Sequence, residues 1–403
     1  TYAAKGNAAT AFSNNWGVYE MKAPVSQNYQ LSAGKVFNVS AKDQVGVVVS
    51  ASYRNTFQTQ DIRMSRDNFD GKVNADDPDR AGFAGQRYGL TTNLGGLVGI
   101  GLRTPRTRIG YQTLYLRSYD QQMIIGKGQH SDPSGLLLGY YDLTTQTDLW
   151  QHQLKGEHSL GKRGIKFKWT GSYVLLDKQK PDNHQMLANV VENDKLESNE
   201  FNISAPFSSG ISAGALRWWS RAYEKNFNWD AAVSVPFNFS PGNFVSQNIF
   251  KAGYAGWRKD RVFYVLNTGS QNYNTSDYPP LAEAFSPGRG GNIYISDFSD
   301  DFHRKASLHG MYLMLDNKIG NKWRLVWGVR GEYYNLNGAN EALDSLFHYI
   351  NQSRNPDEKF DYTELLNREP NWNFFPSANL TYSLTPMMNL RLAYSKSIIR
   401  PDL

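Results

Sequence analysis

Chemistry needs reactive groups held together, and this sequence offers few. Cysteine is absent from the 403 residues, which removes disulfides, thiolate zinc sites and thiol nucleophiles at once. Seven histidines, His130, His152, His158, His184, His303, His309 and His348, are scattered without an H-E-x-x-H spacing. Water-facing strand or loop positions explain them better than a metal site. Two acidic stretches, "NADDPDR" (Asn74, Asp76, Asp77, Asp79) and "SDFSDD" (Asp297, Asp300, Asp301), hold the oxygen ligands that Ca²⁺ takes. They lack the spacing and glycine of an EF-hand loop and read as solvated acidic loops. "SPGRGG" (286–291) is not followed by the Lys-Ser/Thr of a phosphate-cradling loop. Neither a cofactor nor covalent catalysis is expected.

The remaining candidates are charges that sit between apolar residues at every second position: Arg54, Lys166, Lys168, Arg324, Arg330, Glu332 and Arg391. In "IKFKWTGSYVL", Ile165, Phe167, Trp169, Tyr173 and Leu175 share one side of an extended strand while Lys166 and Lys168 share the other. In "KWRLVWGVRGEYY", Trp323, Leu325, Trp327 and Val329 oppose Arg324, Arg330 and Glu332. Such a strand has one apolar and one wet face, so the charges would line a common watery surface. Contact with an anionic substrate or with an acidic protein surface is the functional reading, beside pairing of wall charges with one another.

The elements that carry these charges come in pairs. Residues 29–38 and 45–54 flank "SAKD", 88–102 and 108–120 flank "TPRT", and 145–159 and 165–175 flank "LGKRG". Further hairpins join 226–235 to 248–257 through a connection holding Pro236 and Pro241, 304–315 to 323–334, and "SANLTYSL" through "TPMM" to the closing strand, about twelve strands in all. Between the hairpins run long segments over roughly 58–86, 122–143, 178–225, 267–302 and 337–373, well beyond the usual ~4–6 residues of a loop. Up-and-down strands then gather every short turn at one end and every long loop at the other. That asymmetry, with strands of 11–15 residues, fits a transmembrane antiparallel β-barrel with short periplasmic turns and long extracellular loops better than a soluble sandwich.

Composition agrees. Aromatic residues make up 14%, with 24 Tyr and 35 Gly, yet only 40% of residues are hydrophobic, as befits strands wet on one side. No run of about 18 apolar residues exists to form a membrane helix, which leaves a barrel open because its strands need only ~9–11 residues. A net charge of +6 without a Lys/Arg block makes nucleic acid an unlikely partner. Charge depth fits as well: Arg117 and Lys396, on mostly apolar faces, lie about ten residues from their short turns, near the edge of an apolar band ~25 Å tall. Lys35, only five residues from "SAKD", is expected to snorkel or to mark a shifted register.

The closing stretch, "NWNFFPSANLTYSLTPMMNLRLAYSKSIIRPDL", carries Phe375, Pro376, Ser377, Asn379, Leu380 and Tyr382, then Leu390, Arg391, Tyr394, Ser395, Ser397, Arg400 and Pro401. In these residues it resembles the barrel of TonB-dependent outer-membrane receptors, especially Bacteroidetes-like members, and "QLSAGKVFNVSAKDQVGVVVSASYRNT" and "WRLVWGVRGEYY" are similar to the same barrel. The resemblance implies a 22-stranded barrel in the cell outer membrane, filled by a plug domain and energised by the TonB-ExbB-ExbD complex. It also implies import of a scarce or bulky nutrient, such as an iron chelate, oligosaccharide, peptide or vitamin, with a surface lipoprotein lid as a further partner beside outer-membrane lipid.

On that resemblance residues 1–28 are expected to be an extracellular loop or a plug-to-barrel connection, and residues 29–403 a partial barrel with the plug before it and strands after it missing. A passive porin or a structural barrel of a secretion or surface assembly is the alternative, and a soluble carbohydrate-binding β-protein a third. The aromatic loop sequences "NIYISDF", "SDYPPLAEAF", "SLFHYI" and "REPNWNFF" suit ligand capture by stacking, or packing of the loops on one another.

Overall fold

Alternating apolar and polar residues between tight turns leave the chain one way to bury its backbone polar groups, by laddering each strand against the next. In the computed structural model of the chain this ladder runs from end to end. The structure describes residues 16, 18, 21–65, 82–128, 137–161, 163–190, 203–204, 214–239, 246–272, 291–295, 302–337 and 372–400. In chain order the strands are β1 (Gln27–Asn38), β2 (Gln44–Ser65), β3 (Gly82–Arg103), β4 (Thr107–Gly128), β5 (Leu137–Leu160), β6 (Ile165–Val190), the short β7 (Ile203–Ser204), β8 (Gly214–Phe239), β9 (Ser246–Asn272), the short β10 (Gly291–Ile295), β11 (Phe302–Ile319), β12 (Trp323–Asn337), β13 (Trp372–Thr385) and β14 (Met388–Ser395).

Twelve of these form one up-and-down antiparallel path, β1-β2-β3-β4-β5-β6-β8-β9-β11-β12-β13-β14, with β7 on β6 and β10 on β9. The architecture is all-β, without a helix among the described residues, as the alternation requires. β1 and β14 are the two edges of the path.

Short turns close one end. In the first, the Ser40 hydroxyl accepts from the Asp43 amide at 3.1 Å while the Val39 amide donates to the Asp43 carbonyl at 2.9 Å. In the second, the Thr107 amide donates to Thr104 Oγ1 at 3.0 Å and the Thr104 amide to the Thr107 carbonyl at 2.8 Å. Side-chain acceptors thus satisfy amides that the ladder leaves over.

Registry places opposite residues on the same face. One face carries Leu31, Val49, Val98, Tyr111, Leu154, Tyr173, Phe227, Met311, Leu313, Trp327, Phe374, Leu390 and Leu392, all exposed. An apolar sheet face this wide and uncovered is unsustainable in water, and hydrocarbon is the solvent that fits it. Two glycines in this face lie under cross-strand indoles. A Cβ on Gly156 would stand 2.4 Å from the Trp169 ring, and one on Gly256 2.7 Å from Trp229, so the rings pack flat on the backbone.

Three features differ from the sequence reading. The strands run much farther toward the long-connection end than the apolar pattern does: β9 has 27 residues and β6 and β8 have 26 each. Beyond the belt both faces meet water, so a strand can continue there without alternation. Pro236 is paired with Ile249 inside β8 rather than sitting in a connection, tolerated because it is close to the strand end. The closing strand ends its ladder at Ser395; Arg400 then lies on the polar face, its guanidinium over the rings of Tyr334 at 5.2 Å and Phe375 at 5.9 Å. The β1–β2 register around Lys35 is unbroken, and its amine lies 5.2 Å from the Phe37 ring centroid, nearer the short turn. Lys35 therefore snorkels.

Candidate functional site

The belt has a clear upper rim. Following β4 away from its short turn, the outward positions read Ile109, Tyr111, Thr113, Tyr115 and then Arg117, whose Nε lies 3.7 Å from Asp148. At ~3.3 Å per residue and a tilt near 40°, Arg117 stands roughly 25–30 Å above the turn, the height of an apolar band. Charges follow on the neighbouring strands: Asp177, Lys225, Arg258 and Lys305.

All five described histidines lie on the face of the belt and its extension, not on the polar face. Tyr111 shares a hydrogen bond with His152 Nδ1 at 3.0 Å, Trp169 Nε1 donates to His158 Nε2 at 3.0 Å, and Tyr254 shares one with His309 Nδ1 at 2.7 Å. An aromatic partner supplies the polar contact that hydrocarbon cannot. His130 and His348, both acidic stretches and most of "SPGRGG" lie outside the described residues. Among the described residues no cluster of three His, Asp or Glu could hold a metal ion.

Farther along the same face, beyond the belt, Trp16 is 1% exposed and packs on Ile125, Leu138, Tyr140, Met186 and Ala215. Its ring meets the edge of His184 with centroids 4.9 Å apart. Burial holds His184 down at about 4, against the opposing pull of Asp182, so the imidazole is neutral at pH 7.

The seven candidate charges, Arg54, Lys166, Lys168, Arg324, Arg330, Glu332 and Arg391, all fall on the opposite, polar face. They form no single site. Arg324 makes two bonds to Asp316, at 2.9 and 2.7 Å. Glu332, 9% exposed, accepts from Arg330 at 2.5 Å and from Arg400 at 2.6 Å. Arg54 and Arg391 stand apart in the outermost hairpins, β1–β2 and β13–β14.

Lys166 and Lys168 belong to something larger. Near the short-turn end of the polar face a polar hollow of ≈ 540 Å³ is bordered by Lys42, Arg103, Arg106, Arg108 and Lys166, with Glu157 as its one carboxylate. Glu157 already holds Lys168, 3.3 Å away. Among the described residues, none of the five bordering cations has a carboxylate within ion-pair distance. Arg103 and Arg108 are directly paired across β3 and β4, an unfavourable arrangement of like charges, and the residue opposite Arg108 on β5 is Glu157, which Lys168 already engages. Sequence reasoning singled out neither: Arg103 falls just beyond the strand drawn over 88–102, and Arg108 opens the strand 108–120 without being read as a wall charge. Their signal was parity, since each is an even step from a polar-face residue of its own strand.

One face is a lipid-facing belt about ten residues tall and the other a wet wall, on an up-and-down sheet whose short turns share one end. These features define the wall of an outer-membrane β-barrel. Residues 267–403, which include β11 to β14, match the model of the outer membrane protein beta-barrel family. No curated protein matches the chain. Fold and match support outer-membrane localisation with many strand passes.

Proposed function

We propose that this barrel is the wall of a TonB-dependent receptor that imports a scarce or bulky nutrient, such as an iron chelate, oligosaccharide, peptide or vitamin. The observation that carries the reading is the unneutralised cation cluster of Lys42, Arg103, Arg106, Arg108 and Lys166 at the short-turn mouth. Short turns are periplasmic in this class, so the cluster faces the end through which a plug domain connects to the inner membrane. An acidic plug surface seated there supplies the missing anions. The TonB-ExbB-ExbD complex then acts on the plug, while the long-connection end, with a surface lipoprotein lid, captures the ligand.

Two further features fit. The edges β1 and β14 cannot stay open in hydrocarbon, and additional strands between them close the barrel at the 22 expected. Trp16 and Val18 sit at the long-connection end, which fits the extracellular-loop reading of the stretch that contains them better than a plug connection.

The experiment is single-channel conductance of the full-length protein in planar bilayers. A plugged receptor shows no steady conductance, and paired reversal Arg108→Glu with Lys166→Glu opens it. A steady, anion-selective channel from the unmutated protein, whose selectivity the same reversal merely inverts, would make the cluster a porin constriction and end the receptor reading.

A further inference from the structure

The outward face carries charge just where the belt stops. Lys225 on β8, Asp260 on β9 and Lys305 on β11 are directly opposite one another across three adjacent strands. Arg258 lies on the same face of β9, two residues nearer the short turns than Asp260. The three cations face one carboxylate, and that carboxylate is shared: Asp260 is 2.7 Å from His303 Nε2 and 3.8 Å from Lys305. Lys225 and Arg258 are exposed, and among the described residues neither has a carboxylate partner. The Lys225 amine lies 5.7 Å from the centroid of the Tyr223 ring. At ~3.3 Å per residue and a tilt near 40°, Arg258 stands roughly 30 Å above the short turn, at the level of the outer-leaflet headgroups.

Directly below, the belt is indented. Ala231 and Ala252 are small where the neighbouring strands present Phe167, Tyr254, Met311 and Phe374, and the groove between them has a volume of ≈ 760 Å³. Trp229 lies between groove and cations, 5.4 Å from Phe227 and 6.3 Å from Tyr254 between ring centroids. An apolar groove lying below Lys225, Arg258 and Lys305, of which only Lys305 has a carboxylate within reach among the described residues, has the complementarity of an acyl chain ending in a phosphorylated head.

We infer that β8, β9 and β11 form a binding site for a phosphorylated, acylated glycolipid of the outer leaflet, with a chain on Ala231 and Ala252 and phosphate between Lys225, Arg258 and Lys305. The inference rests on the outward assignment of the apolar face and is independent of whether the barrel is a plugged receptor or a porin. The site would fix the rotation and depth of this sector of the wall against the membrane.

The test uses the full-length protein in mild detergent, with bis-phosphorylated lipid A and its dephosphorylated derivative as probes and retained lipid read by native mass spectrometry. The unmutated protein is expected to retain the phosphorylated probe at least about ten-fold better, the discrimination that one or two charge-assisted contacts provide. Lys225→Gln with Arg258→Gln removes that preference, and Ala252→Trp, which fills the groove, lowers retention of both probes. Equal retention of the two probes by the unmutated protein overturns the inference, and this comparison needs no variant to fold. A preference that survives both charge removals overturns it as well.

Discussion

Two regions of the polar wall spend their charges in opposite ways. On β11 to β13 and just beyond β14, three cations have their carboxylates: Arg324 with Asp316, and Arg330 and Arg400 with Glu332. Near the short turns of β1 to β6, Lys42, Arg103, Arg106, Arg108 and Lys166 gather around a single Glu157 that Lys168 already holds. A wall that neutralises itself needs no partner, whereas one that accumulates like charge raises its own electrostatic energy unless something anionic completes it. The same face thus contains a self-neutralised charge network and a cluster of cations without carboxylate partners among the described residues, and chain-wide net charge distinguishes neither.

Glu332→Gln should have the largest effect on stability. It leaves Arg330 and Arg400 without their carboxylate in a site where Arg400 is 17% exposed, and removing one partner of a partly buried network costs about 2–3 kcal/mol. Denaturant titration of the protein folded in lipid would read this as a lower midpoint; an unchanged midpoint would place the network among surface pairs. Arg400→Gln should cost less, because the Arg330 to Glu332 bond survives it. The expected loss is about 1–2 kcal/mol from one charge-assisted bond and the ring contacts with Tyr334 and Phe375.

Asp316→Asn should be milder still. The Arg324 side chain is 59% exposed, and an exposed pair contributes roughly 0.2–1 kcal/mol. At the other region, Arg108→Gln should leave stability within about 0.5 kcal/mol or raise it slightly by relieving repulsion from Arg103. A large destabilisation would mean that the cluster is internally compensated and that the contrast between the regions is false.

Outside the polar face, His184 gives an independent check on how charge is handled. Its pKa is lowered in the fold to about 4 from the usual 6.5, so the unfolded state binds the extra proton between those values. Stability from the Trp16 contact is full above about pH 6.5 and falls as pH drops toward 4. Asp142, Asp182 and Arg217 are the charged groups around it. Trp16 fluorescence, read against a Trp16→Phe control, should stay level from pH 7 to about 5 and change near 4, where the folded imidazole protonates; a change centred near 6.5 would contradict the assignment.

The belt was legible because hydrocarbon imposes a rule the sequence must obey. Ile165, Phe167, Trp169 and Tyr173 alternate strictly, and Arg117 marks where the rule stops. Above the rim the rule lapses: Gln121 and Gln122 lie side by side within β4, and Asp182 takes a positive φ of 52° where the β6–β8 register shifts. Nothing in such segments distinguishes a strand wet on both faces from a loop, so the strand extensions read as long connections. The histidines misled for a related reason, because their aromatic partners come from other strands. Tyr254 reaches His309 across 55 positions of sequence. Arg400 reaches Glu332 across 68, so nothing local in the closing stretch marked Arg400 as half of a charge network.

The docking claim meets its most direct test in thiol accessibility, since this chain has no cysteine of its own. Lys166→Cys in the full-length protein, held in outer-membrane vesicles opened to the periplasmic side, is labelled with a membrane-impermeant maleimide at low and high salt. The account predicts a thiol shielded at low salt and exposed at high salt, as screening loosens an acidic surface from the cation cluster. Complete labelling at low salt, with no change on adding salt, would show an unoccupied mouth and contradict it.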